Sequence, residues 1–354
     1  MRKLRHPEKK PLSGFGLALR LALLALALLA WALLGAGCAP EIPAVKTPPR
    51  TRDARLALYE KTLRAFLKAG TLPLIDLDLS LGREADLPGI VRAMDRAGVA
   101  LAALTSPREA VIQAAVRRRP GRFIPLTAEG RGDAWAREGG SFLEETRRRL
   151  ARGAFGIGRL TLRAFPPIGA GGKEISVPLA GGTFEALLRL AAERKVPLWI
   201  RMDPDDETLG RFERLLRAHP GARVVWTGAG RILRPDRLPG YGHGLLRALS
   251  QRRPGLFFVH AQGIPAGDRL AVRHRPLVFY DPDGEVSPEW RAMLEARSGR
   301  FGAGSGGGGA HPDRYLERMR GFRSRVLGAL TPSARPQIAY RSAWRLLTGR
   351  AWKD

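Results

Sequence analysis

The sequence predicts an α/β fold of the (β/α)8 TIM-barrel class, preceded by an N-terminal export segment. Eight apolar runs of four to seven residues recur through residues 54–350. They are short enough to be strands and apolar enough to be covered on both faces, as parallel strands are. Stretches with helical periodicity separate them, and strands alternating with helices argue for a parallel sheet. The turn after the first run, Ser80-Leu81-Gly82-Arg83, lacks the glycine-rich phosphate fingerprint that usually follows the first strand of a doubly wound open sheet.

The elements follow in order. A lead-in helix over 54–69 precedes strand 74–79, and helix 86–97 precedes strand 99–104. Helix 107–119 leads to strand 123–126, and helix 142–152 to strand 156–162. Helix 183–194, with Thr183 as its expected N-cap, feeds strand 197–201. Helix 205–219 feeds strand 223–226, helix 241–252 feeds strand 256–260, and helix 288–296 feeds strand 300–303. Helices 312–327 and 332–347 close the chain. In such a barrel the chemistry belongs at the C-terminal strand ends.

The chain has 354 residues, 60 Lys+Arg against 33 Asp+Glu, and one cysteine. The single Cys38 excludes an internal disulfide framework and any zinc site built from several cysteines. The net charge of +27 is not read as nucleic-acid binding. Arginine far outnumbers lysine, accompanies abundant Ala, Gly and Leu, and is spread along the chain rather than gathered in one arm. Arg2, Lys3, Arg5, Lys9, Lys10 and Arg20 precede a Leu/Ala-rich run from Leu21 to Leu34. A basic segment followed by an apolar one is an export signal. Gly35-Ala36-Gly37-Cys38 resembles a bacterial lipoprotein lipobox, in which the cysteine carries the lipid; Gly35 departs from the usual Leu. Residues 1–37 are thus expected to be a lipoprotein-type signal peptide, or alternatively an uncleaved membrane anchor. Residues 38–53, with Pro40, Pro43, Pro48 and Pro49, are expected to be an extended tether. Removing residues 1–37 takes away six basic and one acidic residue and leaves +22. Either alternative puts the folded part outside the cytoplasm, at a membrane of the cell envelope.

Several segments of 54–350 resemble, in order, the amidohydrolase-related (amidohydrolase 2) family of metal-dependent hydrolases and decarboxylases. They are Leu74-Ile75-Asp76-Leu77-Asp78-Leu79-Ser80-Leu81, Ala93-Met94-Asp95-Arg96-Ala97-Gly98-Val99, Gly153-Ala154-Phe155-Gly156-Ile157-Gly158 and Ala191-Ala192-Glu193-Arg194-Lys195-Val196-Pro197-Leu198. Val224-Val225-Trp226, Phe301-Gly302-Ala303-Gly304-Ser305 and Ile338-Ala339-Tyr340 with Arg345-Leu346-Leu347 complete the series. The resemblance implies a TIM barrel with one or two divalent metals, typically zinc, at its mouth. It also implies ligands at matching positions: His-x-His on strand one, a His ending strand five, a His ending strand six and an Asp ending strand eight. Here those positions hold Asp78, Ser80, Arg201, Gly228 and Gly306, and the acidic position on strand four is Arg159.

Three expectations follow. In the first, the protein is a catalytically inactive relative without a metal cofactor, a binding or scaffold domain in which Arg201 replaces the metal's charge and pairs with Asp78. In the second, Arg159 and Arg201 form a pocket for a small anionic ligand, because arginine presents a planar fork to carboxylate or phosphate. In the third, an altered site still hydrolyses or decarboxylates. Weaker candidates are a relocated metal site of His243, His260, His274 and Asp281, serine nucleophiles at Ser80 or Ser305, and a phosphate loop at 304–309, which lacks the Lys-Ser/Thr of a P-loop. The acidic cluster 203–207 reads as a helix start, or as Asp203 facing Arg201. His219 reads as a helix-end residue. Arginine runs at 117–119 and 147–149 read as solvated helix faces that would also suit anionic lipid headgroups.

Overall fold

The computed structural model describes residues 51–130, 132–165, 173–179, 182–229, 241–260, 279–280, 283–306, 309 and 311–354. Residues 1–50, which include the expected signal, Cys38 and most of the expected tether, lie outside these residues. No helix among the described residues is long and apolar enough to cross a membrane.

The chain is an α/β protein built on parallel strands. Helix α1 (Arg52–Lys68) precedes β1 (Leu74–Ser80). There follow α2 (Leu87–Ala97), β2 (Val99–Thr105), α3 (Glu109–Arg118) and β3 (Phe123–Pro125). Helices α4 (Ala134–Glu138) and α5 (Gly140–Ala151) lead into β4 (Ile157–Ala164) and a short β5 (Ile175–Ser176). Then come α6 (Thr183–Glu193), β6 (Pro197–Met202), α7 (Asp206–Ala218), β7 (Arg223–Ala229), α8 (His243–Arg252) and β8 (Leu256–His260). Last come α9 (Pro288–Ala296), β9 (Phe301–Gly302) and α10 (Pro312–Gly321), with further helical turns to Thr348.

All eight predicted strands are present. The additional β5 pairs antiparallel with β4 through Arg163 and Ser176. Its two residues are too few to show an alternation pattern in sequence. Helix 312–327 runs as predicted, but its second half widens to π geometry over Phe322–Leu327, a local insertion that sequence periodicity does not resolve. Thr183 is the first helical residue and not the N-cap, which is Gly182. Its hydroxyl donates instead to the Ala136 carbonyl at 3.2 Å, tying α6 to α4.

The strands form two sheets, ordered β1-β2-β3 and β5-β4-β6-β7-β8-β9. Backbone bonds also run from one sheet to the other. Thr127 N–H donates to Gly156 O at 3.0 Å and Phe155 N–H to Pro125 O at 2.8 Å; on the opposite side Leu77 N–H donates to Ala303 O at 2.9 Å. Alternation along each strand sorts the side chains between two layers. Trp226, Phe258 and Phe301 face the helices. They continue a run of ring contacts from Phe184 and Phe212 with centroid spacings of 5.2–6.4 Å. Trp199 faces the other way and donates its indole N–H to the Leu77 carbonyl at 2.8 Å, bridging β6 to β1. Each of these rings is essentially removed from water, contributing on the order of 2 kcal/mol or more apiece. Helix α1 lies across the N-terminal strand ends: the Tyr59 hydroxyl donates to Phe123 O, Thr62 Oγ1 to Gly121 O and an Arg55 guanidinium nitrogen to Gly153 O.

Candidate functional site: an ion-pair cluster at the C-terminal strand ends

Strand β1 carries Asp76, Asp78 and Ser80 on one face, two residues apart. All three are buried. The β4 side chain Arg159 reaches across to this face. Its Nη1 lies 2.7 Å from Asp78 Oδ1, and its Nη2 lies 2.6 Å from Oε1 of Glu129, which follows β3. Nε also donates to Glu129 Oε1 at 3.2 Å, and the Ser80 hydroxyl donates to Glu129 Oε2 at 2.8 Å. Side-chain exposure is 12% for Arg159, 6% for Asp78 and 5% for Glu129. The guanidinium is therefore largely dry and shared between two carboxylates. Two carboxylates beside one guanidinium leave an excess negative charge, which shapes the titration. The Asp78 carboxyl is raised to about 6: burial pushes it up against the pull of the Arg159 charge, and the charges of Asp76 and Glu129 add to the rise. The Arg159 guanidinium loses solvation on burial but is held more firmly protonated by Asp78 and Glu129.

Beneath this cluster lies Asp76, fully buried. Its Oδ1 accepts the backbone N–H groups of Asp78 and Ser305, each at 2.9 Å. The Tyr315 hydroxyl of α10 approaches the same carboxyl; burial and then the Asp76 charge push that hydroxyl up, while the hydroxyl favours the ionised form of Asp76. Neither Asp76 Oδ2 nor that hydroxyl completes a hydrogen bond of good geometry. Burial pushes the Asp76 carboxyl up against the pull of its hydrogen bonds. Ser305 is equally enclosed, its hydroxyl donating to Asp78 O at 3.0 Å. That bond and its burial make Ser305 a brace between β1 and the segment after β9, not an accessible nucleophile.

These residues do not fit a divalent metal of the expected kind. The Asp78 carboxylate is engaged by Arg159, and Ser80 is committed to Glu129. The strand-six and strand-eight positions, Gly228 and Gly306, have φ of +75° and +65°. A β-carbon is strained in that left-handed region, which glycine adopts freely. Gly228 sits where the β7–β8 register shifts between Thr227 and Ala229, as a bulge does. Among the described residues no group of three or more His, Cys, Asp or Glu side chains is placed to hold a metal ion.

The expected pairing of Arg201 with Asp78 is not found. Arg159 makes that contact, because β4 brings it between Asp78 and Glu129. Arg201 shares the face of Trp199 and is half-buried, and it forms no hydrogen bond or ion pair among the described residues. Asp203 does not pair with Arg201 either: its Oδ2 accepts the Phe165 N–H at 3.1 Å. The helix-start reading of 203–207 holds, with Asp205 capping α7 through Thr208 N–H at 2.7 Å. His219 ends α7 as expected. His243 packs edge-on against Trp290 at 6.0 Å, and among the described residues it belongs to no cluster of ligands. His274 and Asp281 lie outside the described residues, as does the side chain of His260. Three members of the site escaped sequence reading: Asp76, Glu129 and Tyr315. The first had a visible signal, an acid inside an apolar strand.

No protein-family model and no curated protein matches the chain. Solved structures do match it. A 2,6-dihydroxybenzoate decarboxylase complexed with 2,6-dihydroxybenzoate aligns with a TM-score of 0.50 at 12% identity, covering 78% of this chain and 99% of that one. An amidohydrolase of Burkholderia multivorans with bound HEPES gives 0.49 at 15% identity over 77% and 98%. The phosphotriesterase homology protein of Escherichia coli, with phosphate in its active site, gives 0.49 at 13% identity over 78% and 98%. At these identities the likeness is one of fold.

Proposed function

We propose that the chain is an amidohydrolase-related (β/α)8 barrel of the bacterial cell envelope, attached to a membrane through residues 1–38, whose metal position has been taken over by an internal arginine. In this reading it is a binding or scaffold domain and not a metal-dependent hydrolase or decarboxylase. The backbone bonds between the two sheets on both sides, at Thr127–Gly156 and Leu77–Ala303, support closure into a barrel. The observation that carries the functional reading is the clamp of Arg159 between Asp78 and Glu129. A buried cation is already bound to the carboxylates that a metal would need. The altered hydrolase of the third expectation would have to displace that guanidinium first.

A second reading keeps a small-anion site with Arg201 alone, since Arg159 is committed. It is supported by the absence of any acidic partner for Arg201 among the described residues. The first reading expects purified full-length protein supplied with zinc or manganese to show no turnover of ester, lactone or hydroxybenzoate substrates. It also expects lipid labelling in cells that is lost in Cys38→Ser. Metal-dependent turnover would overturn it. Thermal stabilisation by phosphate or benzoate that disappears in Arg201→Ala would establish the second reading.

A further inference from the structure

The N-terminal strand ends differ sharply from the site above. Beside the Arg122–Asp95 and Arg253–Glu213 pairs, five arginines here are held by backbone carbonyls. Arg52 donates to Leu347 O, Arg223 to Leu346 O and Lys195 O, Arg300 to Pro254 O, and Arg345 to Gly299 O. Arg323 reaches Leu72 O, Ala97 O and Gly98 O. A carbonyl satisfies the geometry of a guanidinium and leaves its charge intact. None of these five arginines forms an ion pair among the described residues. Their charges press on one another: burial first, then the neighbouring arginine, lowers Arg223 beside Arg52 and Arg300 beside Arg345 and Arg297. On this face an open depression of about 460 Å³ gathers Arg52, Lys195, Arg223 and Arg350 around a single acid, Asp53. Next to it Trp352 is partly exposed, its ring stacked under the Arg64 guanidinium at 4.9 Å, a residue type favoured at membrane interfaces.

The chain enters the fold on this same face, at Arg52. Thirteen residues separate it from Cys38, a reach of at most about 45 Å.

We infer that this basic end is a docking surface for anionic phospholipid, with the Arg52–Lys195–Arg223–Arg350 depression receiving a headgroup phosphate, so that the tethered domain sits with its N-terminal strand ends on the bilayer and the Asp78–Arg159–Glu129 end turned away. The inference rests on the membrane-attachment reading. The tether holds the face at high effective concentration near the bilayer, and each basic side chain that reaches an anionic surface adds about a fivefold preference.

The test uses full-length protein in nanodiscs of neutral phosphatidylcholine alone or with one quarter phosphatidylglycerol, read by hydrogen exchange. Docking predicts that amides around 52–57, 195–196, 221–223 and 348–353 exchange about tenfold more slowly in the anionic discs. Lys195→Glu/Arg350→Glu, which alters two exposed side chains, is predicted to abolish that protection while melting as the wild type does. Equal exchange in both discs overturns docking while leaving attachment standing. Protection by inorganic phosphate without discs replaces the lipid surface with a small-anion site. Failure of the chain to incorporate into any disc overturns attachment itself.

Discussion

At the C-terminal strand ends Arg159 meets Asp78 at 2.7 Å and Glu129 at 2.6 Å, and the three side chains are nearly dry. At the N-terminal ends Arg223 and Arg323 meet only backbone carbonyls, and their charge stays uncompensated. The same side chain thus serves two ends. One engages its charge with carboxylates in the interior, and the other presents charge to whatever lies outside. The difference lies in the acids, not in the arginines. Asp76, Asp78 and Glu129 converge on one end, whereas the arginines of the other end sit where helices and loops expose their carbonyls.

The largest expected effect breaks the first end. Arg159→Met leaves Asp78 and Glu129 as facing buried carboxylates and should cost about 3–5 kcal/mol in urea unfolding at neutral pH. The triple change Arg159→Met/Asp78→Asn/Glu129→Gln should recover most of that. Equal losses in both variants would mean that packing, not charge, is what Arg159 supplies.

A pH series sharpens the same end. The Asp78 carboxyl is lifted from 3.8 to about 6 in the folded protein, so the folded state holds a proton that the unfolded chain releases. Its stability contribution is complete below about 3.8 and is lost as pH rises through about 6. Wild type should therefore lose stability relative to Asp78→Asn over that window, by about 1.4 kcal/mol per unit of lift. A difference that is flat with pH would show that the carboxylate is fully compensated by Arg159.

Arg323→Met probes the other end. Removing one charged donor from three carbonyls should cost about 2 kcal/mol. The loss should barely change when salt is added, because no ion pair is broken. The smallest effect is expected for Lys195→Glu/Arg350→Glu, within about 0.5 kcal/mol of wild type. A large loss there would mean that the basic end is part of the fold's architecture and not a free surface.

The sequence made the strands legible because each parallel strand is apolar on both faces, and this repeated eight times with helices between. Asp78 and Arg159 were singled out by the family resemblance, at the positions of a metal ligand on strand one and an acid on strand four. The choice between Arg159 and Arg201 was not legible. Both lie on inward faces of neighbouring strands, β4 and β6, and only the stagger between strands decides which reaches Asp78. Glu129 was hidden for a related reason: it follows a three-residue strand in a loop, where an acid is ordinarily solvated. Tyr315 comes from a helix far along the chain, and nothing local ties it to Asp76. The left-handed backbone at Gly228 and Gly306 was equally invisible. In sequence these positions showed only a missing ligand.

The claim that a resident arginine stands where a metal would be bound is tested most directly by elemental analysis of purified full-length protein. Thermal unfolding with and without a chelator should accompany it. The account predicts no stoichiometric zinc or manganese and an unchanged melting temperature. About one metal ion per chain, together with a melting temperature that falls on chelation, would contradict it.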